Sequence, residues 1–511
     1  CSPTRAALMT GRYAHRVNVW HTIMSGNFLP EEEVTMAEVF SQSGYKTAIF
    51  GKWHLGGSYP FRPIDQGFET WVGQGDGGTG TTTDYWFNDR VNDRYLVQGH
   101  GQSIPGYGPD VFFDKVNQYI KSQGKDTPFF MYLSTYVPHN PLTLPDTSWV
   151  NKYRDKVPLK TAYYYASIER IDHNIGLLRE ALKEKGIDKN TILIFMTDNG
   201  GTYGIDIFNA GMRGGKGTQY DGGHRVPFYV HWPARNLDQG KDLESLTAHI
   251  DVLPTLIDLC NLKHPSVNMD GHSLEPLLFG DTAAWKPRNL VVEVQRERHP
   301  EKWTKSSVLT ENWRLVDGKE LYHIKSDSGQ QTDVSEAFPD TLKKLAMMYG
   351  AYWKSVTKEP EKSKAAIIDS NYEEITVLNA ADWIPLNGSL TPWNQHHVSS
   401  GYRQEGKWEI RVDQPGDYIV EISRWPVESG LAINEAMKPK DTIDAYELDS
   451  GRKFSIYNVD NAHYEPLNIA GARLKIDSLS WDKQVQSSDQ SISFNVKLRQ
   501  GQHTVKADFL N

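Results

Sequence analysis

The sequence predicts an α/β fold: a mostly parallel central sheet flanked by helices, followed by a small α+β subdomain and an all-β sandwich. Over roughly the first 280 residues, short apolar runs alternate with helical patterns, as they do in parallel α/β sheets. Later in the chain, short alternating strands separated by turn residues are typical of a sandwich. The 511 residues also exceed what one hydrophobic core usually spans, so several domains are expected.

The first region contains predicted strands, a predicted helix and a long loop. The strands are apolar runs bounded by turn residues, at 47–50, 129–133, 192–196 and 226–230. Residues 161–185 carry isoleucine and leucine at three- and four-residue spacings, which predicts an amphipathic helix that ends at Gly186. Residues 73–109 are rich in glycine, aspartate and threonine and are too long for an ordinary connection. We therefore expect a functional loop region there.

The remaining residues predict two further units joined by a linker. Strands at 290–294 and 313–316, with a helix at 340–356, indicate a small α+β subdomain. The charged, proline-interrupted stretch 358–364 is typical of a linker. Beyond it, the predicted strands of the sandwich lie at 408–412, 418–422 and 493–496. The domains are therefore expected at residues 1–285, 286–360 and 361–511.

The composition excludes several classes of protein. Lys plus Arg total 55 against 64 for Asp plus Glu, a net charge of −9 that argues against a chain built to coat nucleic acid. No apolar run approaches the ~20 residues that cross a bilayer. Because Cys1 and Cys260 are the only cysteines, a disulfide-stapled scaffold and a four-cysteine zinc site are both excluded.

Polar side chains that could take part in catalysis or ligand binding follow three of the predicted strands. Lys52 and His54 come after the first strand, His139 after the second, and Asp198 and Asn199 after the third. Because ligands of open parallel sheets bind beyond the carboxyl ends of the strands, we expect these side chains along one rim. Carboxylate and amide oxygens are ligands that Ca²⁺ or Mg²⁺ prefers. The rim therefore suits an oxyanion bound beside a hard cation, with Ca²⁺ expected first.

Each of these residues also has an ordinary interpretation when it is taken alone. Single histidines such as His54 and His139 are more often surface groups or satisfied core groups, and Asp-Asn-Gly-Gly is a common turn sequence. Lys216, in the sequence Arg-Gly-Gly-Lys-Gly, could be a solvated lysine in a flexible loop. The glycines around it would, however, let its ammonium group approach an anion closely. The coincidence of polar residues at three strand ends favours a functional site.

The first five residues carry the most specific motif in the chain. Cys-Ser-Pro-Thr-Arg at 1–5 resembles the Cys-x-Pro-Ser/Thr-Arg signature of the type I, formylglycine-dependent sulfatases, which include the arylsulfatases. A second sulfatase signature, Gly-Tyr-x-Thr followed by Gly-Lys-x-His, is matched at 44–47 and 51–54. The segments around His139, Asp198 and Lys216 also resemble the family's remaining active-site segments. The resemblance spans about residues 1–360 and implies an alkaline-phosphatase-like fold.

This resemblance implies a sulfuric ester hydrolase that uses a modified cysteine and a metal ion. In the family, a maturation system oxidises the signature cysteine, here Cys1, to the aldehyde formylglycine. Asp198, Asn199 and the modified Cys1 would then ligate the metal, which is Ca²⁺ or, alternatively, Mg²⁺. The hydrated aldehyde offers one hydroxyl for attack on sulfur and another for release of sulfate. Asp198 would also activate the attacking hydroxyl by taking its proton.

The resemblance also implies roles for the cations and histidines. Arg5 would stabilise the formylglycine hydroxyl, while Lys52 and Lys216 would hold the sulfate oxygens and neutralise charge in the transition state. His54 would assist the release of sulfate. His139 would protonate the leaving oxygen, because that atom points away from the metal.

The chain departs from the family pattern at its start. Sulfatases carry a further strand ahead of the signature cysteine, ending in a pair of aspartates that complete the metal shell, whereas this sequence starts at Cys1. Asp198, Asn199 and the formylglycine from Cys1 alone would leave a hard cation under-coordinated. We therefore expect a fragment of a longer gene product, and the alternative is a noncatalytic remnant.

Two other functions stay open alongside sulfate ester hydrolysis. A phospho- or phosphonate-monoester hydrolase is the enzymatic alternative, because related sites handle both oxyanions. A noncatalytic glycan-binding remnant is the alternative from a different class. It would use aromatic faces of the last domain, although most of these tryptophans are expected in its core: Trp383, Trp393, Trp408, Trp425 and Trp481.

The expected partners are a sulfated small molecule or glycan and the maturation system that makes formylglycine. A carbohydrate sulfate is preferred over an aryl sulfate, because an additional β domain suits an extended ligand. For such a substrate we expect a periplasmic or secreted protein. No nucleic acid partner and no membrane span are expected.

Overall fold

A five-stranded mixed sheet forms the centre of the N-terminal part. The computed structural model describes residues 1–281, 283–358, 362, 364–368, 371–437 and 464–511. The strands of this sheet are β1 (Lys46–Gly51), β2 (Thr70–Gly73), β3 (Arg94–Val97), β4 (His100–Ser103) and β5 (Phe129–Ser134). Their spatial order is β4-β3-β2-β1-β5. Strand β1 pairs in parallel with β2 and β5, whereas β3 and β4 continue the sheet in antiparallel pairs.

Helices cover both faces of this sheet because successive strand residues point into two different cores. Ile49 of β1 packs in one core and Phe50 in the other. The helices are α1 (Ser2–Thr10), α2 (Met36–Gln42), α3 (Gly108–Ser122), α4 (Ser148–Asn151) and α5 (Leu159–Lys185). Residues of α1 and α2 join the Ile49 core, and residues of α3 and α5 join the Phe50 core.

Helix α5 confirms the helix predicted at 161–185. Gly186 ends it in the left-handed conformation, with φ of 75°, which glycine adopts without steric cost. This helix of 27 residues is too polar to cross a membrane. No other helix in the described ranges is both long enough and apolar enough to do so.

Strands β6 (Leu193–Met196) and β7 (Phe228–His231) form a separate antiparallel pair. Leu193 contacts the Phe50 core and Ile194 contacts the Ile49 core, so β6 continues the same layer. Among the described residues, however, neither strand pairs with the five-stranded sheet. The prediction that the four apolar runs form one mostly parallel sheet is therefore wrong for these two. The segment between them holds only the short helix α6 (Asp221–His224) and lacks the crossover helix that a parallel connection requires.

A small α+β unit follows. Helices α7 (Val252–Cys260) and α8 (Glu275–Phe279) precede it, and α7 packs in the Ile49 core. The unit itself contains β8 (Leu290–Glu293), β9 (Ser306–Leu309), β10 (Trp313–Val316), β11 (Glu320–His323) and α9 (Pro339–Val356). The strands form an antiparallel sheet in the order β11-β10-β9-β8, and α9 packs on it through Leu345 and Tyr349. The strands and the helix predicted in this region are confirmed.

The last part of the chain is mainly β-structure. Its elements are β12 (Ala366–Ile368), β13 (Ile384–Pro385), α10 (Gln395–Ser399), β14 (Gly406–Val412), β15 (Gly416–Ile422), β16 (Gly471–Ile476), β17 (Leu479–Gln484), β18 (Ile492–Leu498) and β19 (Gly501–Leu510). One sheet has the order β12-β14-β19-β16-β17, with β13 beside β14, and the other pairs β15 with β18. Val412, Leu474 and Phe494 share the core between them.

The predictions for this β module and for the linker have different outcomes. The strands predicted at 408–412, 418–422 and 493–496 lie within β14, β15 and β18. Of the predicted linker, residues 359–361 and 363 lie outside the described residues. The boundaries of the three domains stay predictions.

The β module is docked on the long loop of the N-terminal part. The Thr82 N–H donates to the Trp393 carbonyl at 3.1 Å. Trp86 of the loop meets Trp425 of the module edge-on, with ring centroids 5.4 Å apart, and both side chains are buried. Trp425 is therefore a packing residue and cannot offer its face to a sugar.

The change Trp425→Ala should lower the free energy of unfolding by about 3 kcal/mol or more, because it leaves a cavity against Trp86. Urea unfolding followed by circular dichroism measures this. Tyr402→Ala is the matched control in the same module, because Tyr402 is 52% exposed, and it should change stability by less than about 1 kcal/mol. Equal stabilities of the two variants would contradict the packing role of Trp425.

Candidate active site

Cys1 stands at the start of α1 and faces two loops from distant parts of the chain. It is the N-cap residue of the helix, and Pro3 lies in the first turn, where no intrahelical N–H bond is required. The Cys1 Sγ lies 4.0 Å from Asn199 Oδ1 and 4.0 Å from Lys216 Nζ. The structure therefore brings three of the predicted site residues together at one thiol.

Arg5 lies one turn farther along α1 and connects three strand ends. Its Nη1 donates to the Lys52 carbonyl at 2.9 Å, just after β1, and to the Ser134 hydroxyl at the end of β5. Its Nη2 lies 3.7 Å from Asp198 Oδ2, just after β6. Because the guanidinium is buried and planar, these contacts fix the three strand ends relative to one another.

Asp198 lies among positive charges. Burial by itself would raise its pKa, but the surrounding cations, including Arg5, Lys52 and Lys216, hold the pKa of this carboxyl below its usual value. Burial and the neighbouring Arg5 and Lys216 lower the pKa of Lys52, and burial also lowers that of Lys216. Three basic side chains surround the single carboxylate of Asp198, which favours the binding of an anion there.

His54 is a buried histidine that stays neutral. Its Nε2 lies 3.1 Å from the Thr22 carbonyl, which can only accept, so we assign the ring hydrogen to Nε2. Nδ1 is then the acceptor, and it is buried without a hydrogen-bond partner among the described residues. Burial and the nearby charge of Lys52 place the pKa of His54 well below its ordinary value.

His139 lies on the loop after β5, at the exposed rim of the site. Its Nδ1 lies 2.9 Å from the Asn140 carbonyl and so carries the ring hydrogen, which leaves Nε2 as the acceptor. The pKa of His139 is lowered by desolvation of the ring, because nearby protein atoms displace water, and by the ammonium groups of Lys216 and Lys52. The buried Arg90 donates to the carbonyls of His139, at 2.7 Å, and of Asn140, at 2.6 Å, and so positions this loop.

Two interacting carboxyl groups, one of them next to Lys52, were not indicated by any motif. Asp76 is buried in the long loop and accepts from Asn27 Nδ2 at 2.5 Å, and burial raises its pKa to about 6. Asp382 belongs to the β module, and burial together with Asp76 raises its pKa well above the ordinary value. Gly-Asp-Gly-Gly at 75–78 is the one sequence signal for Asp76, whereas nothing local marks Asp382. Arg90 likewise lacked a signal.

The donor atoms present fit part of a hard-cation shell. Asp198 supplies a carboxylate and Asn199 an amide oxygen, both of which suit Ca²⁺ or Mg²⁺. The unmodified thiol of Cys1 is a soft donor and does not suit such an ion. Within the described ranges, no group of three or more His, Cys, Asp and Glu side chains is arranged to hold a metal. The two oxygens therefore account for one side of a coordination shell.

Comparison with protein families and curated relatives gives a consistent result. The family model described as Sulfatase matches residues 1–262, and the one described as N-sulphoglucosamine sulphohydrolase, C-terminal, matches residues 215–350. The chain is 29% identical over 298 residues to the ulvan-active sulfatase of Formosa agariphila, covering 54% of this chain and 55% of that protein. It is 31% identical over 315 residues to human arylsulfatase A, covering 55% and 58%. The chain thus spans little more than half the length of these relatives.

Solved structures show the same fold at low sequence identity. The structure of Ps i-CgsB in complex with k-i-k-neocarrahexaose has a TM-score of 0.61 at 24% identity, covering 69% of this chain and 82% of that one. The PsFucS1 sulfatase from Pseudoalteromonas sp. has a TM-score of 0.58 at 20% identity, covering 71% and 82%. The phosphonate monoester hydrolase of Agrobacterium radiobacter has a TM-score of 0.50 at 18% identity, covering 70% and 86%. These similarities support the mixed α/β architecture.

The buried, neutral state of His54 predicts a pH dependence of stability. The folded-state pKa lies below that of the unfolded chain, so the unfolded chain binds a proton first as the pH falls. The contribution of the neutral His54 to the free energy of unfolding is fully present above the unfolded-state pKa of about 6.5. Below that pH it falls by up to about 1.4 kcal/mol per pH unit. Denaturant unfolding should therefore show a shallower loss of stability below about pH 6.5 in His54→Gln than in the wild type.

His264→Gln is the matched control for this measurement, because His264 is exposed. Its pH slope should equal that of the wild type. If His54→Gln also keeps the wild-type slope, His54 binds protons equally in the folded and unfolded protein, and the lowered pKa is wrong.

Proposed function

The chain belongs to the sulfatase family, and we propose that it hydrolyses sulfate esters through a nucleophile made from Cys1. The observation that carries this proposal is the meeting of Asn199 and Lys216 at the Cys1 Sγ, each 4.0 Å away. Arg5 and Asp198 form an ion pair beside them. A nucleophile position surrounded by cations supplies what a sulfate ester lacks in water, namely an approach to sulfur past its anionic oxygens.

The lysines bind the sulfate group in this proposal. Lys216 lies beside Cys1. Lys52 is buried just after β1, and its carbonyl accepts a hydrogen bond from Arg5. Two ammonium groups on different loops can take different sulfate oxygens and thereby orient the ester for in-line displacement. Burial strengthens these charge interactions, because little water remains to screen them.

A maturation system is proposed to oxidise the Cys1 side chain to formylglycine. When hydrated, that group supplies one hydroxyl for attack on sulfur and another through which the aldehyde can be restored. Asp198, kept ionised by its cationic neighbours, is the base that takes the proton from the attacking hydroxyl. The neutral His54 has an unprotonated Nδ1 that can take the second proton when sulfate is released.

His139 is proposed to protonate the leaving oxygen. The ring lies at the open rim, where the alcohol part of the ester must project, and Nε2 is the nitrogen available for a proton. Because its pKa lies below the ordinary histidine value, the protonated ring gives up its proton more readily than an ordinary histidine. The fraction of His139 that is protonated rises as the pH falls. Arg90 keeps the loop in place through two carbonyls.

A divalent cation, with Ca²⁺ preferred over Mg²⁺, is proposed at Asp198 and Asn199. Bound there, it would act as a Lewis acid that neutralises negative charge on the sulfate oxygens. The two side chains lie on adjacent residues after β6 and offer hard oxygens, which supports this choice of ions. They also leave room in the shell for ligands beyond the described residues.

A carbohydrate sulfate is the proposed substrate class, and the periplasm or the cell exterior the proposed location. The similar proteins include an ulvan-active sulfatase and an N-acetylgalactosamine-6-sulfatase, whose names refer to carbohydrates. The β module contributes Asp382 beside the site, which suits a substrate larger than a single aryl group. A phosphonate monoester hydrolase shares the fold, so phosphate and phosphonate esters are the alternative substrates.

Modification of Cys1 is the direct test. In the full-length protein produced with a formylglycine-generating system, the peptide that contains Cys1 should have the mass expected when CH₂SH becomes CHO. The protein should release inorganic sulfate from 4-nitrophenyl sulfate, and Cys1→Ala should reduce the rate by about a thousandfold or more. Cys260→Ala is the control, because Cys260 lies at the end of α7, outside the cluster, and should keep the wild-type rate.

Three outcomes of this test would contradict the proposal. An active protein whose Cys1 is unmodified would remove the proposed nucleophile. Faster release of phosphate or phosphonate than of sulfate would favour the alternative hydrolase. Glycan binding by a modified protein that releases no sulfate would favour the noncatalytic remnant.

The role of His139 is tested by the leaving group. His139→Ala should reduce kcat/KM about a hundredfold for alkyl or sugar sulfates and much less for 4-nitrophenyl sulfate, whose phenolate leaves without a proton. The wild type should also gain activity on alkyl sulfates as the pH falls from neutrality towards the lowered pKa of His139, and the variant should lose this gain. His264→Ala serves as the exposed control. Equal losses on both substrate types would contradict an acid role.

A further inference from the structure

Arg296 places an exposed guanidinium next to the cationic site. Its Nη1 lies 3.5 Å from the Thr22 hydroxyl, and the residue is solvent-exposed. Among the described residues, no carboxylate lies within ion-pair distance of Arg296. Its charge also reaches the site: burial is the main cause of the lowered pKa of Lys216, and Arg296 lowers it further. Arg296 is therefore a cation that faces other cations without a counter-ion.

The backbone at Arg296 is held in place by a buried histidine. His21 Nδ1 accepts from the Thr22 N–H at 2.8 Å and from the Ile23 N–H at 3.1 Å, so the ring hydrogen is on Nε2. Nε2 then donates to the Arg296 carbonyl at 3.0 Å. Burial lowers the pKa of His21 to about 4, so this neutral arrangement persists at physiological pH. His21 thus fixes the backbone from which the Arg296 side chain extends.

Thr22 connects Arg296 to the reacting groups. Its hydroxyl lies by Arg296 Nη1, and its carbonyl accepts from His54 Nε2 at 3.1 Å. One residue therefore separates the exposed guanidinium from a histidine of the site. Because Thr22 contacts both Arg296 and His54, the guanidinium lies at the edge of the anion-binding cluster and not on a remote surface.

We propose that Arg296 binds a second anionic group of the substrate, so that the substrate class is a sugar sulfate carrying an additional carboxylate or sulfate. This inference rests on the proposed sulfatase activity and deepens it. The planar fork of arginine binds two oxygens of a carboxylate or sulfate at once, which a lysine cannot do. One sulfate ester carries a single negative charge, whereas Lys52, Lys216 and Arg296 present several basic groups. A second anion on the ligand would complete the charge match.

Binding to a protein that cannot turn over its ligand provides the test. Cys1→Ala removes the nucleophile position. Calorimetry of full-length Cys1→Ala can compare N-acetylglucosamine 6-sulfate with glucosamine N,6-disulfate, in which a second sulfate replaces the N-acetyl group. The protein should bind the disulfate more tightly. Adding Arg296→Gln should weaken disulfate binding by about tenfold more than monosulfate binding, because charge-assisted hydrogen bonds are lost.

Two further arms complete the design. Arg298→Gln is the matched control, since it removes the same charge from an exposed arginine on the same segment, and it should change neither affinity. A monosulfated disaccharide with glucuronate, compared with its glucose analogue, shows whether the second anion is a carboxylate. A loss confined to the uronate ligand assigns a carboxylate, and a loss confined to the disulfate assigns a sulfate.

The outcomes separate the two proposals. Equal losses for monoanionic and dianionic ligands, no loss, no preference for dianions, or no binding by any of these sugars would overturn the role of Arg296. The matured protein's hydrolysis of 4-nitrophenyl sulfate tests the activity independently. If that hydrolysis occurs and Arg296→Gln binds dianions normally, the sulfatase proposal stands and the second-anion site fails. If hydrolysis is absent while Arg296→Gln still weakens the binding of dianions more than that of monoanions, the second-anion site stands and the sulfatase proposal fails.

Discussion

A buried guanidinium is the interaction on which the rest of the site depends. Arg5 joins the Lys52 carbonyl, the Ser134 hydroxyl and the Asp198 carboxylate, which follow three different strands. Strand β6 has no hydrogen-bonded partner in the five-stranded sheet among the described residues, so backbone pairing does not position Asp198 relative to Lys52. Side-chain contacts of Arg5 provide that constraint. A buried ion pair of this kind is worth more for specifying geometry than for raising stability.

The charge distribution divides the site into two functional sides. On one side, lysine and arginine side chains offer positive charge to an oxyanion, with few acids to compete. On the other side, Asp198 and Asn199 offer hard oxygens, and the same cations keep Asp198 ionised. An anion and a metal ion bound next to each other would each reduce the repulsion that the other meets. The arrangement therefore favours binding both over binding either one.

The β module packs against the N-terminal part close to the site. Its Ala381 carbonyl accepts from the Met24 N–H at 2.8 Å, and the following residue, Asp382, lies near Asp76. Trp425, one of the aromatic residues considered for sugar stacking, is instead buried against Trp86. A carboxyl from the module thus interacts with a carboxyl from the long loop, Asp76, which in turn interacts with Lys52.

The sequence by itself determined the local elements and the motif residues. The spacing in α5 and the glycine at 186 specify a helix and its end, and Cys1, Arg5 and Lys52 stand in motifs that indicate their chemistry. Only the tertiary structure decided that β6 pairs antiparallel with β7, that Asp382 meets Asp76, and that Arg296 lies near Lys216. The reason is physical: periodicity reports which face of an element is buried, whereas these contacts join residues far apart in sequence, and the packing of whole elements determines their distances.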